Sequence, residues 1–216
     1  MTSISVRVGV VCEGATETEF VRSCLSPHLQ QHGVYVTPKD MQGNVSVERV
    51  AQFMRNFAHQ FDVVTTFLDF YGFKYNRSGD GSPKLSIQAL EQAILQIVQN
   101  KSTHALPHLK PYIQQYEFEA LLFSDVTHFD WVLDGWSQDR RAQLVQICQT
   151  IPCPEDINHG AMTAPSKRLD QIFQGDFDKV EHGPVIAESI GLEAIRQKCP
   201  RFDQWVSWLE SLRKVQ

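Results

Sequence analysis

The chain has 216 residues, 42% hydrophobic and 21% charged, with a formal net charge of -5. That length supports one well-buried domain with a small appendage, and no apolar stretch is long enough to span a bilayer. The negative balance leaves no global positive field to hold nucleic acid by counterion release, so a polyanionic substrate must be held locally by metal ions, clustered basic residues or a partner protein. The N-terminus carries neither the basic nor the apolar block of a secretion signal, and the five cysteines contain no Cys-x-x-Cys pair. A cytoplasmic location in a reducing compartment is therefore expected. The histidines form no His-Glu-x-x-His pattern, so zinc is not expected.

From Ile4 to Val11 a run rich in β-branched apolar residues predicts a buried strand that runs straight into Glu13-Gly14. Gly14 permits a sharp turn, and Thr16 with Glu19 three residues on has the pattern of a capping box that opens a helix. Residues 34–38 predict a short strand, and Ser46 caps a helix on which Val47, Val50, Met54, Phe57 and Phe61 keep helical spacing. Residues 63–69 predict a second strong strand, ending in Asp69. The segment 74–84, with Lys74, Arg77 and Lys84 among glycines and serines, is expected to be a solvated loop. An amphipathic helix is predicted over 86–100, a strand over 110–116 and a helix from about Glu117. This alternation predicts an α/β fold with a mostly parallel sheet and helices on both faces, over residues 1–125. Beyond it only helices are predicted, at 138–149, 166–173, 185–198 and 201–214, giving a helical C-terminal portion over 126–216 packed on the sheet domain. Trp205, Trp208, Leu209 and Leu212 share one face of the last helix, as core residues would.

In an open α/β sheet, ligands bind beyond the carboxyl ends of the strands. Glu13 and Asp69 are both expected there, and two carboxylates brought close repel unless a proton or a divalent cation intervenes. An oxygen-rich site suits Mg2+ or Mn2+, which can polarise a phosphoryl oxygen and orient an attacking water. Glu117 and Glu119 lie where the next strand should turn into a helix, and are further candidate metal ligands. Their other role would be to favour that helix's positive end. Glu17 is a candidate supporting group beside the Glu13 turn. Pro165 suits the first position of a helix, so Ser166, Lys167 and Arg168 crowd an N-terminus that attracts anions and are candidate phosphate-binding residues.

Taken together, Glu13-Gly14, Asp69-Phe-Tyr-Gly72, the stretch from Tyr116 to Ser124 and Ala164-Pro-Ser-Lys-Arg168 resemble domain-of-unknown-function family 4276, a bacterial family that looks like a divergent Toprim domain. The resemblance runs over nearly the whole chain, down to the pattern of Phe202 to Trp205. It implies a Toprim-like, Rossmann-like fold distantly similar to the overcoming-lysogenization-defect nucleases, with Glu13 as general acid/base or metal-adjacent group and Asp69 as metal ligand. Where those enzymes carry a second aspartate this chain has Tyr71, so Glu117 or Glu119 is the expected replacement. The resemblance also implies a nucleic-acid substrate and a separately encoded ATPase partner in a phage-defence or restriction-like setting. The competing reading is a Toprim-like scaffold or sensor subunit that has lost catalysis. Self-association is left open, and no Walker-type or Gly-x-Gly-x-x-Gly motif points to nucleotide binding.

Overall fold

The computed structural model describes residues 5–73, 76, 84–101, 108–158, 160 and 162–212. Lys74 and Arg77 of the expected loop lie outside the described residues. Strands β1 (Val6–Cys12), β2 (Val34–Asp40), β3 (Val63–Asp69) and β4 (His108–Lys110) form a parallel sheet in the order β2-β1-β3-β4. The two-residue β5 (Ile113–Gln114) pairs with the end of β3, Asp69 opposite Gln114. The expected strand over 110–116 is thus split at Pro111, which has no N–H to give a ladder.

All seven residues of β3 are buried, so the sheet is covered on both faces. Val63 and Phe67 join one hydrophobic cluster, and Val64 and Leu68 the other, the alternation that a strand imposes. Helices α3 (Val47–Phe57) and α4 (Ile87–Lys101) cover the second cluster with Val50, Met54, Leu90 and Ile94. Ser46 caps α3 by accepting from the Arg49 N–H at 3.2 Å. The first cluster is covered by α1 (Ala15–Phe20), a π turn (Val21–Leu25) and α2 (Ser26–Gln30), which run on as one helical stretch.

The C-terminal residues close that same cluster. After 3-10 turns at Phe118–Ser124, Val126–Trp131 and Leu133–Gly135 come α5 (Gln138–Thr150), α6 (Pro165–Phe173), α7 (Lys179–Ile190), α8 (Leu192–Lys198) and α9 (Pro200–Ser211). The helix expected from Glu117 is a 3-10 run, and Phe118 to Phe123 are all buried in it. From α9, Trp205 stacks 5.4 Å from Phe67 and 4.6 Å from Tyr112, and its Nε1 donates to Thr65 Oγ1 at 3.0 Å. Such pairs contribute roughly 0.5–1.5 kcal/mol each beyond their burial. No helix among the described residues is long and apolar enough to cross a membrane.

One boundary shift matters for the site. The helix expected over 185–198 begins at Lys179 instead and breaks at Gly191, whose φ of +84° suits glycine. Gly183 and Pro184 lie inside α7. A Cβ on Gly183 would sit 3.0 Å from the Phe118 ring, so glycine there lets α7 close onto the turn that carries Glu119.

Candidate active site

Four carboxylates meet at the carboxyl ends of β1 and β3, around one lysine. Glu13 follows β1, and its Oε2 accepts from the Asp69 N–H at 3.3 Å. A Cβ at position 72 would fall 2.2 Å from that same oxygen, so only glycine leaves the Glu13 carboxylate its place. Asp69 ends β3; its Oδ1 accepts from the Phe118 N–H at 2.7 Å and its Oδ2 from Lys179 Nζ at 2.9 Å. Glu17 Oε2 accepts from the Gly14 N–H at 3.0 Å, which makes Gly14 the helix cap in place of the expected Thr16–Glu19 box. Glu19 pairs with Arg22 on the surface instead. Lys179 Nζ also lies 3.1 Å from Glu17 Oε1 and 3.2 Å from Glu119 Oε2.

The arrangement is rich in negative charge. Burial and then the Asp69 and Glu17 carboxylates push Glu13 up to about 8, and burial pushes Glu119 up to about 8 against the pull of Lys179. Burial likewise raises Glu17 and Asp69, while the surrounding carboxylates hold the Lys179 ammonium well above its ordinary value against its own burial. Glu17 Oε1 and Glu119 Oε2 are buried and receive no aligned hydrogen bond among the described residues, despite the nearby ammonium. Buried carboxylate oxygens in that state are costly, and the Lys179 ammonium at 3.1 and 3.2 Å offsets part of the cost. Hard oxygen donors suit Mg2+ or Mn2+, but here the oxygens of Glu17, Asp69 and Glu119 stand around the Lys179 ammonium, and among the described residues these acids are not drawn together as an ion's ligand set.

The other sequence candidates lie around this centre with different partners. Glu117 turns to α6, where its carboxylate accepts from the Ser166 N–H at 2.9 Å and Ser166 Oγ at 3.0 Å. The anion at that helix N-terminus is therefore the chain's own, in the place expected for phosphate. Arg168 donates to the carbonyls of Ile157 and Thr163, and Lys167 pairs with Asp170 at 3.0 Å on the surface. The Tyr71 hydroxyl accepts from Asn158 Nδ2, and its ring packs 5.6 Å from Tyr116. Tyr116 has φ of +63°, a conformation that costs a bulky residue about 1–2 kcal/mol and sets the chain path into Glu117. Lys179 was missed in the sequence because Gly183-Pro184 reads as a helix break. The nearby Asp178, which caps α7 by accepting from the Val180 and Glu181 N–H groups, was the available signal.

A second cluster lies away from the sheet edge. His28, His32 and Glu210 are close enough to share a metal ion, but Arg196 already holds Glu210 with contacts of 2.6 and 3.1 Å. Arg196 Nε also donates to Asp203 Oδ1 at 2.6 Å. His28 Nε2 lies 2.5 Å from Glu210 Oε1, so this cluster is a saturated network joining α2, α8 and α9.

Residues 12–210 match the family described as Domain of unknown function (DUF4276). The chain belongs to that family. Its fold is similar to the C-terminal region of the Burkholderia pseudomallei OLD protein, at a TM-score of 0.50 and 14% identity over 96% of this chain and 100% of that one. The C-terminal region of the Xanthomonas campestris pv. campestris OLD protein, phased with iodine, matches at a TM-score of 0.45 and 13% identity over 93% of this chain and 96% of that one. No curated protein sequence matches. The DUF4276 chain is thus an α/β protein with a Toprim-like parallel sheet.

Proposed function

We propose that this chain is a Toprim-type phosphodiesterase, a nuclease that uses Mg2+ or Mn2+. The observation that carries the reading is the gathering of Glu13, Glu17, Asp69 and Glu119 at the carboxyl ends of β1 and β3, four acids against the single Lys179 ammonium. A bound divalent ion would polarise the phosphoryl oxygen and neutralise charge on the leaving oxygen. Glu119 fills the role of the absent second aspartate, since Glu117 is engaged with Ser166. Glu13, held beside Asp69 at the end of β1 and pushed up by burial and by the neighbouring carboxylates in the metal-free chain, is assigned as general acid/base. Lys179 holds the Asp69 carboxylate in place and brings positive charge to the developing phosphorane oxygens. The substrate is nucleic acid, the setting cytoplasmic and linked to phage defence or restriction, and the working partner a separately encoded ATPase.

The second reading, a catalytically lapsed scaffold or sensor subunit for that ATPase, is favoured by Lys179 itself, an ammonium standing where a metal charge would stand. Cleavage of supercoiled plasmid and structured RNA with Mg2+ or Mn2+ separates the two. The nuclease reading expects cleavage that falls at least about 100-fold in Glu13→Gln and Asp69→Asn. Absence of cleavage with and without the ATPase would overturn it.

A further inference from the structure

The helical C-terminal part carries a cleft of about 480 Å³ between the 3-10 turns at 126–135 and α7. Its rim is unusual for a soluble surface. Leu133 is 77% exposed, Trp131 49% and Val185 39%, all three lining the cleft. These three of the seven exposed large hydrophobic side chains among the described residues are gathered at one place instead of scattered singly. Between them stand Asp134, Asp176 and Glu181. Asp176 is paired with Arg140 at 2.7 Å, whereas Asp134 and Glu181 are exposed and have no ion partner among the described residues.

We infer that this cleft docks a basic amphipathic segment of another protein, with an aliphatic or aromatic side chain seated between Trp131, Leu133 and Val185. Exposed aromatic and aliphatic anchors at the centre with charge at the rim is the anatomy of a protein interface. The acidic rim selects among occupants. Nucleic acid and anionic lipid headgroups carry the same sign as Asp134 and Glu181 and are repelled. A second copy of the chain would set the same acids against each other across a two-fold axis. A small ligand is disfavoured because Leu133, Trp131 and Val185 are each too exposed to enclose one from water. Lysines and arginines flanking an apolar anchor satisfy both features at once. The inference does not depend on the nuclease reading, although α7 begins at Lys179 and the occupant would lie within roughly 9 Å of it along the helix axis.

The probe is a labelled 16-residue helical peptide with leucines at i, i+3, i+4 and i+7 and lysines elsewhere, beside a companion in which glutamates replace the lysines. Fluorescence anisotropy is read against the full chain, Leu133→Asp, and the double variant Asp134→Lys, Glu181→Lys. The expected result is that the lysine peptide alone binds the wild type and loses at least about tenfold in affinity to each variant. Leu133→Asp adds negative charge, so general attraction of a cation to an acidic protein would be kept or strengthened there. Equal binding to wild type and Leu133→Asp, or no binding of the lysine peptide, overturns the inference. So does self-association of the wild type in sedimentation that Leu133→Asp abolishes, because the face would then belong to a second copy.

Discussion

Two ion clusters tie the first half of the chain to its helical end, and they are built on opposite principles. Around Arg196, one guanidinium is matched by Glu210 and Asp203, and both oxygens of Glu210 are served by aligned hydrogen bonds. Although burial pushes Glu210 up, the hydrogen bonds from Arg196 and His28 hold it below its ordinary value. Around Lys179, one ammonium faces Glu17, Asp69 and Glu119, Glu13 lies next to Asp69, and acids there are pushed up. The first cluster is satisfied and acts as a staple. The second gathers more acids than one ammonium can pair, and it meets the surplus by holding Glu13 and Glu119 protonated into the neutral range.

The comparison breaks most visibly on removal of the central cation. Lys179→Met should cost roughly 3–5 kcal/mol at pH 8 in denaturant unfolding, since it strands several buried carboxylates, with Mg2+ restoring much of the loss. Arg196→Met, at a wetter network, should cost about 1.5–3 kcal/mol and gain nothing from Mg2+. Equal losses and equal metal response would remove the distinction. Next in size, neutral isosteres should act with opposite signs. Above pH 8, where the Glu119 carboxyl ionises, Glu119→Gln relieves repulsion and is expected to raise the Tm of the metal-free chain by about 2–4 °C while weakening Mg2+ binding in calorimetry. Glu210→Gln is expected to lower Tm by a similar amount.

pH sharpens the same contrast. Glu13 and Glu119, raised to about 8, stabilise the fold in full below the ordinary glutamate range near 4.5 and lose that contribution as pH rises through 8. Glu210, depressed, stabilises above that range and loses its contribution on acidification through its lowered value. Metal-free Tm should therefore fall from pH 6 to 9, and Glu119→Gln should flatten the slope while Glu210→Gln leaves it intact. The smallest effect belongs to the exposed Lys167–Asp170 pair, where Lys167→Ala should change unfolding stability by less than about 0.5 kcal/mol.

Much of this was legible in the sequence. The β-branched runs of β1 and β3 place Glu13 and Asp69 at strand ends, and both come to the same crevice. Helices α3 and α4 follow from Ser46, Ser86 and their apolar spacing. What was not legible depends on distant contacts. Gly183-Pro184 has the local chemistry of a break, and only packing against Phe118 and Thr16 keeps α7 continuous back to Lys179. The N-terminus of α6 does attract an anion, but no local pattern reveals that the anion is Glu117, 49 positions away. The choice between Glu117 and Glu119 likewise rests on which of two neighbouring turns each side chain meets.

The Trp205 ring, stacked on Phe67 and Tyr112 and bonded to Thr65, comes from the last helix yet completes the central strand's environment. Until α9 docks, that slot lacks its indole, so the faces of Phe67 and Tyr112 that it covers stay open to water or to a chaperone. The acid crevice is assembled from residues 13 to 179, all ahead of α9 in the chain, so the inner slot is filled by a later piece than the one that completes the crevice.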